Sequence, residues 1–157
     1  MTGISVRKEI VVQASQVRAF SVFTDRIDRW WPREHHIGTS PLKRCVIEGK
    51  QGGRWYSTCE DGSEVDVGRV VVWDSPKRVV LTWQITAQWQ YDPSFETEVE
   101  VNFIALGPNE TRVTLEHHNL ERFGPATEQI RPMFDSPDGW SKTLAAFAKV
   151  ADAEGAG

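Results

Sequence analysis

The chain contains only two cysteines among 157 residues, too few for a disulfide-built scaffold. It has no apolar run approaching the roughly 18 residues that cross a bilayer. The opening stretch Met1–Lys8 has no apolar core of signal-peptide length, so the expected location is cytoplasmic, without membrane insertion. Basic residues are scattered along the chain and the formal net charge is −4. Nucleic-acid binding demands a clustered positive footprint, so that class is set aside. Also missing are a G-x-S-x-G elbow, a phosphate-binding loop, a dinucleotide glycine fingerprint and an H-E-x-x-H pair. No cofactor is implied. The histidine pairs His35-His36 and His117-His118 do not make a metal site, because neighbours on a strand point to opposite faces and zinc wants three or four convergent ligands.

Tryptophan, in contrast, is abundant, with seven residues in a chain of one-domain length. Each indole is bulky and carries an N–H that needs a partner when buried. So many point to a thick aromatic core, a lined pocket, or both.

Hydrophobic periodicity supplies the elements. Ile4, Val6, Ile10 and Val12 share one parity, which predicts a half-buried strand. Ser15 is placed to cap a short helix carrying Val17, Phe20 and Phe23, and a second short helix is expected over 25–31, ending at Pro32. From 42 to 120 turn signals separate strands: 48–53, the two-residue hairpin signal Asp61-Gly62, 74–77 and 107–109. Connections this short imply an antiparallel meander. The clearest strand runs from Phe95 to Ala105, with Phe95, Thr97, Val99, Val101 and Phe103 inward and Glu96, Glu98 and Glu100 outward. Val79, Leu81, Trp83 and Ile85 repeat the pattern, as do Val113, Leu115 and His117. Residues 65–73 are apolar on both parities, and their inner face is not readable.

Two turns carry specific expectations. A loop of Pro108-Asn109 alone would set Phe103 against Thr114, inner against outer, so a three-residue loop or a bulge is predicted. A hairpin centred near Gly52 would bring Cys45 and Cys59 opposite each other, close but unbonded. A final helix is expected with Ser136 as cap, Pro137 in its first turn and Trp140, Leu144, Phe147 and Val150 or Ala151 as its apolar stripe. The 17 or so residues before it, 119–135, are read as a long connection or a cover over the interior.

Together these motifs have a familiar order: Trp30-Trp31-Pro32, Gly52-Gly53-Arg54-Trp55-Tyr56, Asp61-Gly62, Gly68-Arg69-Val70, Leu81-Thr82-Trp83, residues 111–117, and Gly139-Trp140 followed by Leu144 and Phe147. The set resembles the heat-shock-chaperone ATPase activator-homologue family within the START-like, polyketide-cyclase-like (SRPBCC) superfamily. The resemblance spans about Val6 to Val150. It implies an α+β helix-grip fold: a curved antiparallel sheet of about seven strands around a long C-terminal helix, with two short helices after the first strand. One START-like domain is expected over 1–157, ordered from about 4 to 152.

The resemblance also implies a cavity between sheet and helix, of about 300–1,000 Å³ if it holds a small molecule. Inward parity and helix spacing nominate its lining as Trp83, Val99, Val101, Phe103, Leu115, His117, Trp140, Leu144 and Phe147. The function expected is binding of a small apolar or aromatic ligand. A cyclase- or hydrolase-type enzyme using the same cavity, with His117 as acid or base, and a chaperone ATPase regulator are the alternatives. His117 itself admits two roles, a ligand or proton contact or a satisfied structural histidine. A homodimer is compatible with these features.

Overall fold

The computed structural model describes residues 4–32, 40–137 and 139–155. Strand β1 (Val6–Val12) is followed by helix α1 (Gln16–Thr24) and a 3-10 turn (Ile27–Arg29). Six strands then run in succession: β2 (Leu42–Ile47), β3 (Arg54–Cys59), β4 (Glu64–Asp74), β5 (Arg78–Trp83), β6 (Thr97–Gly107) and β7 (Glu110–His118). A 3-10 segment (Leu120–Ala126) leads into α2 (Thr127–Asp135), and α3 (Trp140–Gly155) closes the chain. The seven strands form one antiparallel sheet in the order β1-β7-β6-β5-β4-β3-β2. This is a curved sheet with a long C-terminal helix, the α+β helix-grip fold. One apolar core lies on its inner face.

Local chemistry explains the ends of the elements. The Ser15 hydroxyl accepts from the Arg18 amide at 3.2 Å, satisfying one of the free N–H groups that open α1. The buried face of α1 is Ala19, Phe20, Val22 and Phe23, whereas Val17 is exposed. In α3 the stripe of Trp140, Leu144, Phe147 and Ala151 is buried and packs toward β1 and α1. Full burial of each large apolar side chain contributes roughly 1.5–3 kcal/mol, which is why a 16-residue helix holds here.

The predicted bulge at the β6–β7 turn is present. Ala105 pairs with Thr111 and Gly107 with Glu110, leaving Leu106 extra. Phe103 then faces Val113, Val101 faces Leu115, and Val99 faces His117, inner against inner. Proline cannot take the positive φ of a type I′ turn, so Pro108-Asn109 cannot supply the twist that unbulged hairpins use. The bulge supplies it instead.

Several expectations are corrected. Cys45 pairs with Ser57, and Cys59 with Leu42, so the two cysteines are offset; both are buried and free. The β2–β3 pairing is centred on Gln51 instead of Gly52, and one residue of displacement at the centre moves the partner by two. Asp61-Gly62 sits within a longer connection, since Thr58 pairs with Glu64, and Gly62 takes the left-handed conformation at φ +87°. Ser136 ends α2 rather than capping α3: its amide donates to the Met133 carbonyl, and α3 begins at Trp140. The segment 119–135 is helical over much of its length, despite Pro132 inside α2.

Candidate functional site

All nine nominated residues are buried, eight of them in the one apolar core and His117 as a buried polar residue. They divide between two regions. Phe103 and Phe147 both meet Phe23 of α1, at centroid distances of 5.7 and 5.3 Å, and Phe20 closes on Phe103 at 5.1 Å. Val99, Val101 and Leu115 continue the inward rows of β6 and β7, and Leu144 lies on α3 between Trp140 and Phe147. Trp83, His117 and Trp140 form the second region, where the chemistry gathers.

His117 ends the inward row of β7 and is fully buried. The Trp140 indole N–H donates to its Nδ1 at 3.2 Å. An indole nitrogen can only donate, so Nδ1 is the acceptor and the neutral ring carries its proton on Nε2. That N–H donates to Thr97 Oγ1 at 2.8 Å, and the Thr97 hydroxyl donates in turn to the Trp83 carbonyl at 3.1 Å. The relay joins α3, β7, β6 and β5 through groups that do not titrate near neutrality. Burial, aided by the neighbouring His118, lowers the pKa of His117 from 6.5 to about 3. At neutral pH the imidazole is uncharged and both nitrogens are engaged.

Beside it, in contact through Trp83 and Trp140, stands a closed ring of four tryptophans. Trp31 contacts Trp55 at 5.8 Å, Trp55 contacts Trp83 at 5.9 Å, Trp83 contacts Trp140 at 5.8 Å, and Trp140 returns to Trp31 at 6.2 Å. All four contacts are edge-to-face, the arrangement the ring quadrupole favours. The contributors come from the end of the first helical region, β3, β5 and α3. Phe134 of α2 adds a further wall, 4.7 Å from His117 and 5.6 Å from Trp83. Its position depends on Gly139: a Cβ there would lie 2.4 Å from the carbonyl oxygens of Met133 and Phe134. Only glycine lets α3 start so close to the end of α2.

Three of the indole and imidazole N–H groups near this region are satisfied within the protein: Trp30 donates to the Val22 carbonyl at 2.8 Å, Trp140 to His117, and His117 to Thr97. Trp83 Nε1 differs. It is buried, and among the described residues it has no hydrogen-bond partner. Trp31, Trp55, Thr97 and Phe134 were not among the nominated site residues. Thr97 and Phe134 were legible as inward or apolar positions, but nothing in their spacing says that they meet His117.

The outer glutamates are surface groups. Glu100 receives hydrogen bonds from His118, Asn102 and Arg78, and Arg69 pairs with Glu96. Burial alone would raise the Glu100 carboxyl, but those three donors together hold it below its ordinary value. No group of metal-binding side chains is present among the described residues, and His35-His36 lies outside them. No described helix is long and apolar enough to cross a membrane.

Residues 13–152 match the family described as Activator of Hsp90 ATPase homolog 1-like protein. The chain belongs to that family. Among solved structures it is similar to an anthrahydroquino-gamma-pyrone synthase, Txn09, at 40% identity and TM-score 0.66, over 93% of this chain and 96% of the other. It is also similar to CalC from Micromonospora echinospora, a self-sacrificing resistance protein, at 32% identity and TM-score 0.71, over 97% and 96%. The Aha1 dimer from Colwellia psychrerythraea shares the fold at 16% identity and TM-score 0.62, over 95% and 96%. No curated protein matches the chain.

Proposed function

We propose that the protein binds a flat, apolar or aromatic small molecule between the sheet and α3, against the ring formed by Trp31, Trp55, Trp83 and Trp140. The ring carries the reading. Aliphatic side chains fill a core without polar atoms, whereas each indole adds an N–H that must be satisfied. Strands β3 and β5, helix α3 and the segment after the first 3-10 turn each contribute a tryptophan to one place, beside an imidazole held neutral. Such a surface suits stacking and edge contacts with another aromatic system. The similarity to a protein named as an anthrahydroquino-gamma-pyrone synthase supports the reading. Residues 119–135, which bring Phe134 against His117 and Trp83, would act as the cover over the bound molecule.

Binding is tested by titrating the protein with anthraquinone-2-sulfonate while following tryptophan fluorescence and melting temperature. Saturable quenching together with a raised melting temperature is expected, and both should weaken in Trp140→Ala. Quenching that never saturates, with no thermal shift, would defeat the proposal.

A second reading, a cyclisation enzyme, is favoured by the 40% identity to the pyrone synthase. In that case the wall would hold a reactive chain in a productive fold. His117 is not a ready base, because its only lone pair accepts the Trp140 N–H. Turnover by this protein of a linear polyketide that folds into fused rings would establish it.

A further inference from the structure

The binding reading leaves the ligand's chemistry open, and the polar groups at the tryptophan ring narrow it. His117 has its acceptor nitrogen occupied by Trp140 and its N–H occupied by Thr97, whose own hydroxyl proton goes to the Trp83 carbonyl. Nothing in this relay has a spare donor. Trp83 is 8% exposed and its Nε1 lacks a partner among the described residues. Its ring lies within 5.5–5.9 Å of His117, Phe134, Trp140 and Trp55. Aromatic faces accept an N–H only weakly, so this ring of neighbours does not compensate for the lost hydration of the donor.

We infer that the Trp83 indole N–H, buried without a partner beside a relay that has no donor to spare, is the anchor for the ligand, and that the ligand is a flat aromatic bearing a carbonyl, phenol or ring-ether oxygen. The inference rests on the binding function proposed above. An oxygen acceptor at Trp83 gains a hydrogen bond in a water-poor setting, while a plain aromatic hydrocarbon of the same outline leaves the donor orphaned. A ligand offering only donors would do no better, since an indole N–H cannot accept. The site thus selects for oxygenation by donating to it. In the enzymatic reading the same bond would polarise a substrate carbonyl, a role that needs no titrating residue.

The test compares two soluble probes of one shape, anthraquinone-2-sulfonate and anthracene-2-sulfonate. Their affinities are measured on the wild-type protein and on protein whose Trp83 indole is replaced by benzothiophene, which keeps the two-ring outline and substitutes sulfur for N–H. Comparing the quinone-to-hydrocarbon ratio between proteins cancels the probes' different hydration. We expect the ratio to fall about tenfold on loss of the N–H, with the hydrocarbon bound about equally by both proteins. On the wild-type protein the Trp83 indole proton should also move downfield with the quinone and not with the hydrocarbon, a readout that does not depend on the variant folding. An unchanged ratio, or an indole proton indifferent to the carbonyl, would overturn the anchor while leaving aromatic binding intact. If neither probe binds, the proposed function and the anchor both fall.

Discussion

Trp140 at the start of α3 donates its indole N–H to His117 Nδ1 at 3.2 Å, and this bond alone sets the tautomer of the buried imidazole. It links the helix to the sheet, and the burial of the same ring makes stability depend on pH. With its pKa lowered from 6.5 to about 3, His117 binds a proton in the unfolded chain well before it does in the folded one. Its contribution is therefore complete above about pH 6.5 and is lost as pH falls toward 3. The slope is about 1.4 kcal/mol per pH unit within that window. Carboxylates held below their ordinary pKa values, such as Asp135 beside Lys8, lose stability on the acid side too. Comparison with His117→Gln isolates the histidine. Urea titrations between about pH 6 and pH 4 should show the wild-type profile steeper by one proton, whereas parallel profiles would contradict the buried neutral ring.

Thr97 is the second support of that ring. Thr97→Val keeps the shape of the side chain but leaves the His117 Nε2–H without an acceptor and the Trp83 carbonyl without its donor. The loss of stability should be about 1–3 kcal/mol by denaturant unfolding. A change below a few tenths would mean that the relay does not bear on the fold.

Gly139 sets the approach of α3 to α2. Gly139→Ala places a methyl group 2.4 Å from two backbone oxygens, which must move apart. We expect a cost of about 1–3 kcal/mol and altered near-ultraviolet circular dichroism as Phe134 shifts from His117. A variant as stable as the wild type, with an unchanged aromatic spectrum, would show that the α2–α3 turn yields freely.

Much of this architecture is legible in the residues. The alternation from Thr97 to Phe103 states its own inner face, and Ser15 announces α1. The bulge at Leu106 follows from requiring inner residues to face inner residues. Strand β4 resisted reading because it is irregular twice: Val67 is extra between the partners of Trp55 and Tyr56, and Val71 between those of Leu81 and Val80. Each bulge resets the parity, so counting by twos fails. Helix α2 was hidden by Gly124, Pro125 and Pro132, residues that ordinarily interrupt helices. The site was legible only in part. Parity turns Trp83 and His117 inward, but the closure of Trp31 onto Trp55 and Trp140 depends on sheet curvature and on the path of the first helical region. Nor does any pattern reveal that the Trp83 indole nitrogen is buried without a partner among the described residues.

The central claim is that aromatic molecules bind at the four-tryptophan ring, and the seven indole N–H resonances read it most directly. The protein, labelled with ¹⁵N and assigned by single Trp→Phe substitutions, is titrated with anthraquinone-2-sulfonate. The account predicts that Trp31, Trp55, Trp83 and Trp140 shift together and saturate with one affinity, while Trp73 and the exposed Trp89 stay in place. Shifts confined to Trp89, or a spectrum unmoved at probe concentrations that saturate quenching, would contradict it.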